Sequence, residues 1–465
     1  MPQNEARPNI LLIMTDEQRF DGWGRINPIV KTPNLDRLAQ QSIVFTRAYT
    51  TNPSCVPARA AMFTGRYPSQ CGAPTFITYV NETETTFMSL LRESGYHTAV
   101  VGKQHFGRTD IERGYDYEEI NDLHAPPKLT NVTDASPSYA KFLASAGFRE
   151  QNELSRSDSQ FRFTKEWVAD ERYHVDHFIG ERGAQWIERE RPPQKPWFLW
   201  VSFPGPHQPF DGIGLPQADM YSPEDIDMPL TDRSQLDAKP QHYRAKKEYP
   251  TGLSEAEIRR MRHSYYAKIS LIDQQVGRVL DALRKTGEYD NTLILFTSDH
   301  GDFMGDFGLV HKGQYLSEVL MRVPFILKPP VVDFPGSEVN DLVANFDLAA
   351  TCLSAAGAAI PANMACRDLC SYWRQPQETS AREYLYMEAS DLRGILTDRW
   401  KMIHYRNRTY GELYDLKHDP WETNNLWDDA SLLPIKAQLY SLLINEWIRL
   451  GEKSHMRWNV NDPQI

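Results

Sequence analysis

The chain has 465 residues, 41% apolar and 24% charged, with a formal net charge of −11. That mixture excludes a disordered or fibrous chain, and its acidity excludes an extended nucleic-acid surface while still allowing a local basic pocket. No stretch approaches the roughly 18 consecutive apolar residues of a membrane-spanning helix, so no membrane partner is expected.

The length suggests more than one domain. The opening residues 1–8 lack the apolar segment of a secretory leader, which implies a cytoplasmic protein, or a periplasmic one whose signal peptide has been replaced by a new Met. Cys55, Cys71, Cys352, Cys366 and Cys370 are an odd, sparse set. They do not resemble a disulfide framework; a Cys366–Cys370 bridge is within reach, but reduced thiols are the expectation. Sequons at Asn81, Asn131 and Asn407 carry weight only in a secreted protein.

In chain order, residues 9–14 form a short apolar run that ends abruptly in Thr15-Asp16-Glu17-Gln18. This predicts a strand buried on both faces, with polar groups presented at its C-terminal end. Helices are predicted over residues 32–41 and 86–94, then a strand over 98–101 ahead of Gly102-Lys103. The next strand spans 197–203, a long helix 254–286, and a strand 292–298 ends in Asp299-His300-Gly301-Asp302; residues 323–327 give another strand. Residues 110–190 and 205–250, rich in Pro, charge and aromatics, read as excursions decorating the site end of the sheet. Strands alternating with helices predict an α/β fold whose large, mixed but mostly parallel sheet is sandwiched by helices, with ligands gathered beyond the carboxyl ends of the strands. After residue 375 the pattern changes to short strands at 383–387, 393–397, 401–405 and 412–416, then an amphipathic helix over 432–450. The expected domains are residues 1–375 and a smaller antiparallel sheet with a helix over 376–465.

The sharpest segment is Pro53-Ser54-Cys55-Val56-Pro57-Ala58-Arg59-Ala60-Ala61-Met62-Phe63-Thr64-Gly65-Arg66. Cys55 alone would be a buried thiol on a turn entering a helix, with Pro57 in the first turn and Gly65 near the stop. Cys-x-Pro-x-Arg followed by a small-residue helix and Thr-Gly-Arg is more specific: it resembles the sulfatase signature, in which the cysteine is oxidised to formylglycine. The resemblance continues in order through Asp16-Glu17, Lys103-Gln104-His105, His207, Asp299-His300 and Lys312. It ends in Leu413-Tyr414-Asp415-Leu416 and Glu422-Thr423-Asn424-Asn425-Leu426, where it implies a structural lock between small and large domains.

The resemblance implies an alkaline-phosphatase-like fold and hydrolysis of a sulfate ester, with one divalent metal ion and a formylglycine made from Cys55 by a formylglycine-generating enzyme. The aldehyde hydrates to a geminal diol; one hydroxyl attacks sulfur and the other later expels sulfate, splitting one hard step into two. By the same resemblance Asp16, Glu17, Asp299 and His300 hold the metal with position 55, although singly each would be read as a helix or loop cap. Many members carry Asp-Asp where this chain has Asp16-Glu17, so Glu17 is either a longer-armed ligand or an outer residue. The carboxylate-rich set favours Ca2+, and His300 leaves Mn2+ and, less so, Zn2+ open. Arg59 is expected to hold the diol and the metal's ligands. Lys103 is expected to contact sulfate and nucleophile, and His105 to act as the base that triggers sulfate release; His207 and Lys312 would protonate or stabilise the leaving oxygen.

Two alternatives stay open. One is hydrolysis of phosphonate monoesters or phosphodiesters at the same site. The other is a catalytically silent sugar-sulfate binder, which the intact Cys55, Arg59, Lys103 and His105 set argues against. A Ser or Thr phosphatase is disfavoured because Cys55 stands at the nucleophile position. Choline, aryl, alkyl and saccharide sulfate esters all fit as substrates, because specificity lies in excursions that motifs do not reach. A homo-oligomer is compatible with the sequence.

Overall fold

The computed structural model describes residues 7–107, 112–122, 137–149, 151–158, 160–244, 252–379 and 381–452; residues 1–6 and the Asn131 sequon lie outside them. Before the C-terminal region the strands are β1 (Asn9–Asp16), β2 (Ile43–Tyr49), β3 (His97–Gly102), β4 (Tyr117–Ile120), β5 (Ser155–Ser157), β6 (Thr164–Trp167), β7 (Trp197–Pro206), β8 (Phe210–Ile213), β9 (Thr292–Ser298), β10 (Phe325–Lys328) and β11 (Ser337–Ala344). Eight of them form one sheet in the order β11-β2-β10-β9-β1-β7-β3-β4, while β5, β6 and β8 form a small three-stranded one. β1 lies parallel between β7 and β9, and β10 alone runs antiparallel to its neighbours β2 and β9. The sheet is therefore mixed but mostly parallel.

The alternation of side chains along a strand explains the three layers. Ile10, Leu12 and Met14 of β1 enter one core, and Leu11 and Ile13 enter the other. The helices that cover these faces are α1 (Pro33–Ala39), α2 (Cys55–Thr64), α3 (Phe87–Glu93), α4 (Val175–Gln185), α5 (Glu255–Lys285) and α6 (Asp347–Ala355). Apolar residues of α2, α3 and α6 fill the first core; those of α1, α4 and α5 fill the second. Both faces of the central strands are thus closed to water, which is why they read as continuous apolar runs.

The C-terminal strands β12 (Tyr384–Ala389), β13 (Leu392–Thr397), β14 (Trp400–Tyr405) and β15 (Gly411–Asp415) form an antiparallel meander, packed by helix α7 (Leu433–Glu452). Leu385, Leu396, Met402 and Leu413 of this sheet share the core of α2 and α6, so the two sheets are continuous through their apolar contacts. No helix among the described residues is long and apolar enough to cross a membrane. All five cysteines are free thiols.

Several elements differ from the sequence expectation. β2 and β11 lie where no strand is expected, β4, β5, β6 and β8 lie inside the predicted excursions, and β11 is a sheet edge whose first half is largely exposed and polar. α4 lies inside a predicted excursion because its buried face carries Asp176 and His177 among apolar residues, which hides the helical period.

Candidate active site

Three neighbouring strands end at one place. Met14 of β1 is level with Ser202 of β7, and Thr15 with Ser298 of β9, so Asp16, the segment after β7 and Asp299 emerge side by side. Gly102 closes β3 against the same Ser202; a Cβ there would meet the Ser202 carbonyl oxygen at 2.0 Å, and its φ of +108° suits glycine. That close approach delivers Lys103 to the site.

Cys55 is the first residue of α2 and is buried. Ser54 at the N-cap makes no side-chain cap, and Cys55 stands at the positive end of the helix. The Cys55 Sγ lies 3.5 Å from Asp16 Oδ1 and 3.2 Å from His300 Nε2. Asp16, Cys55, Asp299 and His300 each offer an atom within 4.8 Å of the others, all of them buried. The His300 Nδ1 lies 2.8 Å from the Gly301 carbonyl, which can only accept. Nδ1 therefore donates, and Nε2 is the ring nitrogen turned to the cluster, the one available to a metal. Two carboxylates and one basic imidazole fit a hard divalent cation.

Arg59, one turn along α2, binds the cluster together. Its Nε donates to Asp299 Oδ2 (2.8 Å), Nη2 to Asp16 Oδ2 (3.2 Å), and Nη1 to Ser202 Oγ (3.0 Å) and the Lys103 carbonyl (2.9 Å). Lys103 Nζ sits 2.5 Å from Asp16 Oδ2.

Glu17 turns away from this group. Its φ is +70°, and its carboxylate Oε2 lies 3.1 Å from Lys312 Nζ and 3.2 Å from His207 Nε2. Asp302 and His311 adjoin it, and Asp16, Glu17 and His207 form a further close group. The His207 Nδ1 faces the Gln208 carbonyl at 2.7 Å, so Nδ1 donates and a second proton is needed between Nε2 and Glu17. His105, with φ +52°, is held through its backbone N–H, which donates to the Asp122 carboxylate at 3.1 Å.

Burial would push the Asp16 carboxyl up, but Lys103, His207, Arg59 and Lys312 outweigh it and hold it well below the usual range. Glu17 goes the other way: burial raises it to about 7 against the pull of Lys312. Burial, reinforced by Asp16, pushes the Cys55 thiol up to about 12, so in the metal-free protein it stays protonated. Burial would lower Lys312, yet the carboxylates of Glu17, Asp16 and Asp299 hold it above the ordinary lysine value.

Sequence reasoning missed the residues that fix these groups from outside. Ser202 receives Arg59, Asp122 clamps the amides of Gln104 and His105, and Asn345 Nδ2 donates to the carbonyls of Ser298 (3.1 Å) and Asp299 (3.3 Å). None carries a local signal, because each acts only through a partner remote in sequence.

The sulfatase family model matches residues 8–358, and a model described as N-sulphoglucosamine sulphohydrolase, C-terminal, matches residues 305–448. The chain is 29% identical to an arylsulfatase of Clostridium perfringens, covering 95% of this chain and 94% of that one. It is 30% identical to a choline-sulfatase of Rhizobium meliloti, covering 90% and 82%. Its fold is similar to that of a phosphonate monoester hydrolase of Agrobacterium radiobacter, with a TM-score of 0.83 at 21% identity over 96% of both chains. The chain belongs to the sulfatase family.

Proposed function

We propose that this sulfatase hydrolyses a sulfate ester of a small molecule or saccharide, using a formylglycine made from Cys55 and one divalent cation, Ca2+ by the chemistry of its donors. The observation that carries this reading is the buried Cys55 Sγ at a helix N-terminus, 3.5 Å from Asp16 and 3.2 Å from His300. Asp16, Asp299, His300 and the modified residue 55 would hold the cation, which, with the aldehyde hydrate, supplies an ionisable hydroxyl as nucleophile.

The other residues divide the remaining work. Arg59 holds the Asp16 and Asp299 carboxylates aligned. Lys103 brings positive charge to the side where the sulfate oxygens sit. His207, with a proton on the Nε2 side, donates it to the leaving oxygen, and Lys312 stabilises the charge that develops there. Glu17 holds both of these cations in place and stands outside the ligand set. His105 takes up a proton when sulfate departs.

The same site could act on a phosphonate monoester; the fold likeness and the histidine in the donor set favour this as the second reading. Matured enzyme assayed on 4-nitrophenyl sulfate and on a 4-nitrophenyl phosphonate separates the two, since the leaving group is the same. Higher kcat/KM for the sulfate, its loss on chelation and return with Ca2+, and no turnover by Cys55→Ala are the expected results. Preference for the phosphonate would select the second reading, and an active Cys55→Ala would overturn both.

A further inference from the structure

Beyond the site lies another buried charged cluster, His174, Asp176, Asp211 and Lys268, none more than 4% exposed. Four ionisable groups out of water are costly to bury, and none of them belongs to the donor set around Cys55. Their contacts converge on one segment, the turn between β7 and β8 that carries His207.

Lys268 stands on α5 and points its ammonium at this turn. Nζ donates to the carbonyls of His207 (2.8 Å) and Pro209 (3.0 Å) and pairs with Asp211 Oδ1 (2.9 Å). An ammonium has three N–H donors, and all three find acceptors within residues 207–211. Asp211 is itself fixed: burial would raise its carboxyl, but Lys268 and His174 hold it far below the usual range. The His174 Nδ1 accepts the Asp176 amide at 3.2 Å, so its proton is on Nε2, which lies 3.6 Å from Asp211 Oδ1. The ends of the turn are held as well. The Gly205 N–H donates to Asp176 Oδ1 (3.0 Å), the Gly212 N–H to Ser264 Oγ (2.8 Å), and the His207 N–H to the Asp16 carbonyl (3.2 Å). With its backbone fixed and Nδ1 on the Gln208 carbonyl, the His207 ring has one orientation, Nε2 toward Glu17.

We propose that Lys268, backed by Asp211 and His174, is the positioning residue for His207, holding the imidazole where its Nε2 proton can reach the leaving oxygen. Lys268 does not touch substrate; it acts through the backbone of residues 207–209. This rests on the role given to His207 above. Small errors in the placement of a proton donor cost rate chiefly where the leaving group needs the proton.

The test uses matured, metal-loaded enzyme and two probes, phenyl sulfate and 4-nitrophenyl sulfate, whose leaving groups differ in basicity. Lys268→Met should lower kcat/KM for phenyl sulfate by about 10- to 100-fold and for 4-nitrophenyl sulfate by less than about 3-fold. The double variant Lys268→Met/His207→Ala should be no slower than His207→Ala alone. Asp211→Asn, which keeps an oxygen for Lys268 but removes its charge, should show the same pattern more weakly. It carries both measurements if Lys268→Met does not fold. Equal slowing of both substrates, or multiplicative losses in the double variant, would overturn the proposal. If His207→Ala itself fails to discriminate between the probes, the role given to His207 is wrong. The coupling of the double variant then still reads whether Lys268 works through that histidine.

Discussion

Arg59 is fully enclosed, and every guanidinium nitrogen has a partner: Asp299, Asp16, Ser202 or the Lys103 carbonyl. Removing it leaves Asp16 and Asp299 as neighbouring buried carboxylates without their shared cation, the situation that costs about 3–5 kcal/mol when one partner of a buried pair is lost. Arg59→Ala should therefore lower the unfolding free energy of the metal-free protein by that amount, seen as an earlier midpoint in urea, and Arg59→Lys should recover little, because a point charge cannot span the four acceptors. A wild-type midpoint in Arg59→Ala would show that the guanidinium does not organise the cluster. Glu17 predicts a pH effect of definite sign. Its folded value of about 7 stands above the ordinary 4.5, so the folded chain binds a proton there that the unfolded chain has released. Stability of the metal-free protein should then fall as pH rises from about 4.5 to 7 and be fully present below that window. Glu17→Gln should flatten this slope in urea titrations at pH 5 and pH 7; an unchanged slope would mean another group is responsible.

At the scale of elements, legibility followed burial. β1, β7 and β9 are buried on both faces along their length, so each is a continuous apolar run, visible in the sequence together with the polar residues that follow it. α5 was legible at both ends: Ser254 and Glu257 form a capping box, and the helix stops at Lys285 after a basic last turn. β11 was not, because an edge strand half open to water needs no apolar pattern; its identity comes from pairing with β2. α4 was masked by buried polar groups whose partners are far along the chain, such as Asp176 with Gly205. The site divides in the same way. Cys55, Arg59, Lys103, Asp16, Asp299 and His300 sit in short motifs whose spacing is itself informative, whereas Ser202, Asp122, Asn345 and Lys268 matter only once the fold has brought their hydrogen-bond partners to them. Glu17 is intermediate: its place next to Asp16 suggested a ligand, but the left-handed turn at residue 17 swings its carboxylate to His207 and Lys312.

Across the whole molecule, the C-terminal sheet is wired to the nucleophile's own loop. The Glu388 N–H donates to the Thr51 carbonyl at 3.0 Å, Asn52 Nδ2 donates to the Glu388 carbonyl at 2.7 Å, and Asn52 Oδ1 accepts the Ser54 amide at 3.1 Å, one residue before Cys55. The motif near the end of the chain closes a second contact. Glu422 is 1% exposed, and Oε2 accepts Ser317 Oγ (2.9 Å) and the Glu318 N–H (3.1 Å). Lys401 Nζ lies 2.7 Å from Oε1 and Lys239 Nζ 3.4 Å from Oε2; burial would raise this carboxyl, but the two lysines bring it down to about 2. Glu422→Ala leaves both lysines buried with one carboxylate fewer between them, at a cost of about 3–5 kcal/mol. Because one apolar core runs from β1 through α2 and α6 into β12–β15, that loss should be felt by the whole chain. Calorimetry of Glu422→Ala should show a single endotherm moved to lower temperature, with the large sheet and the C-terminal sheet melting together. Two resolved endotherms, with only one displaced by the substitution, would mean that the sheets fold independently and that the contacts at Glu388 and Glu422 only dock them.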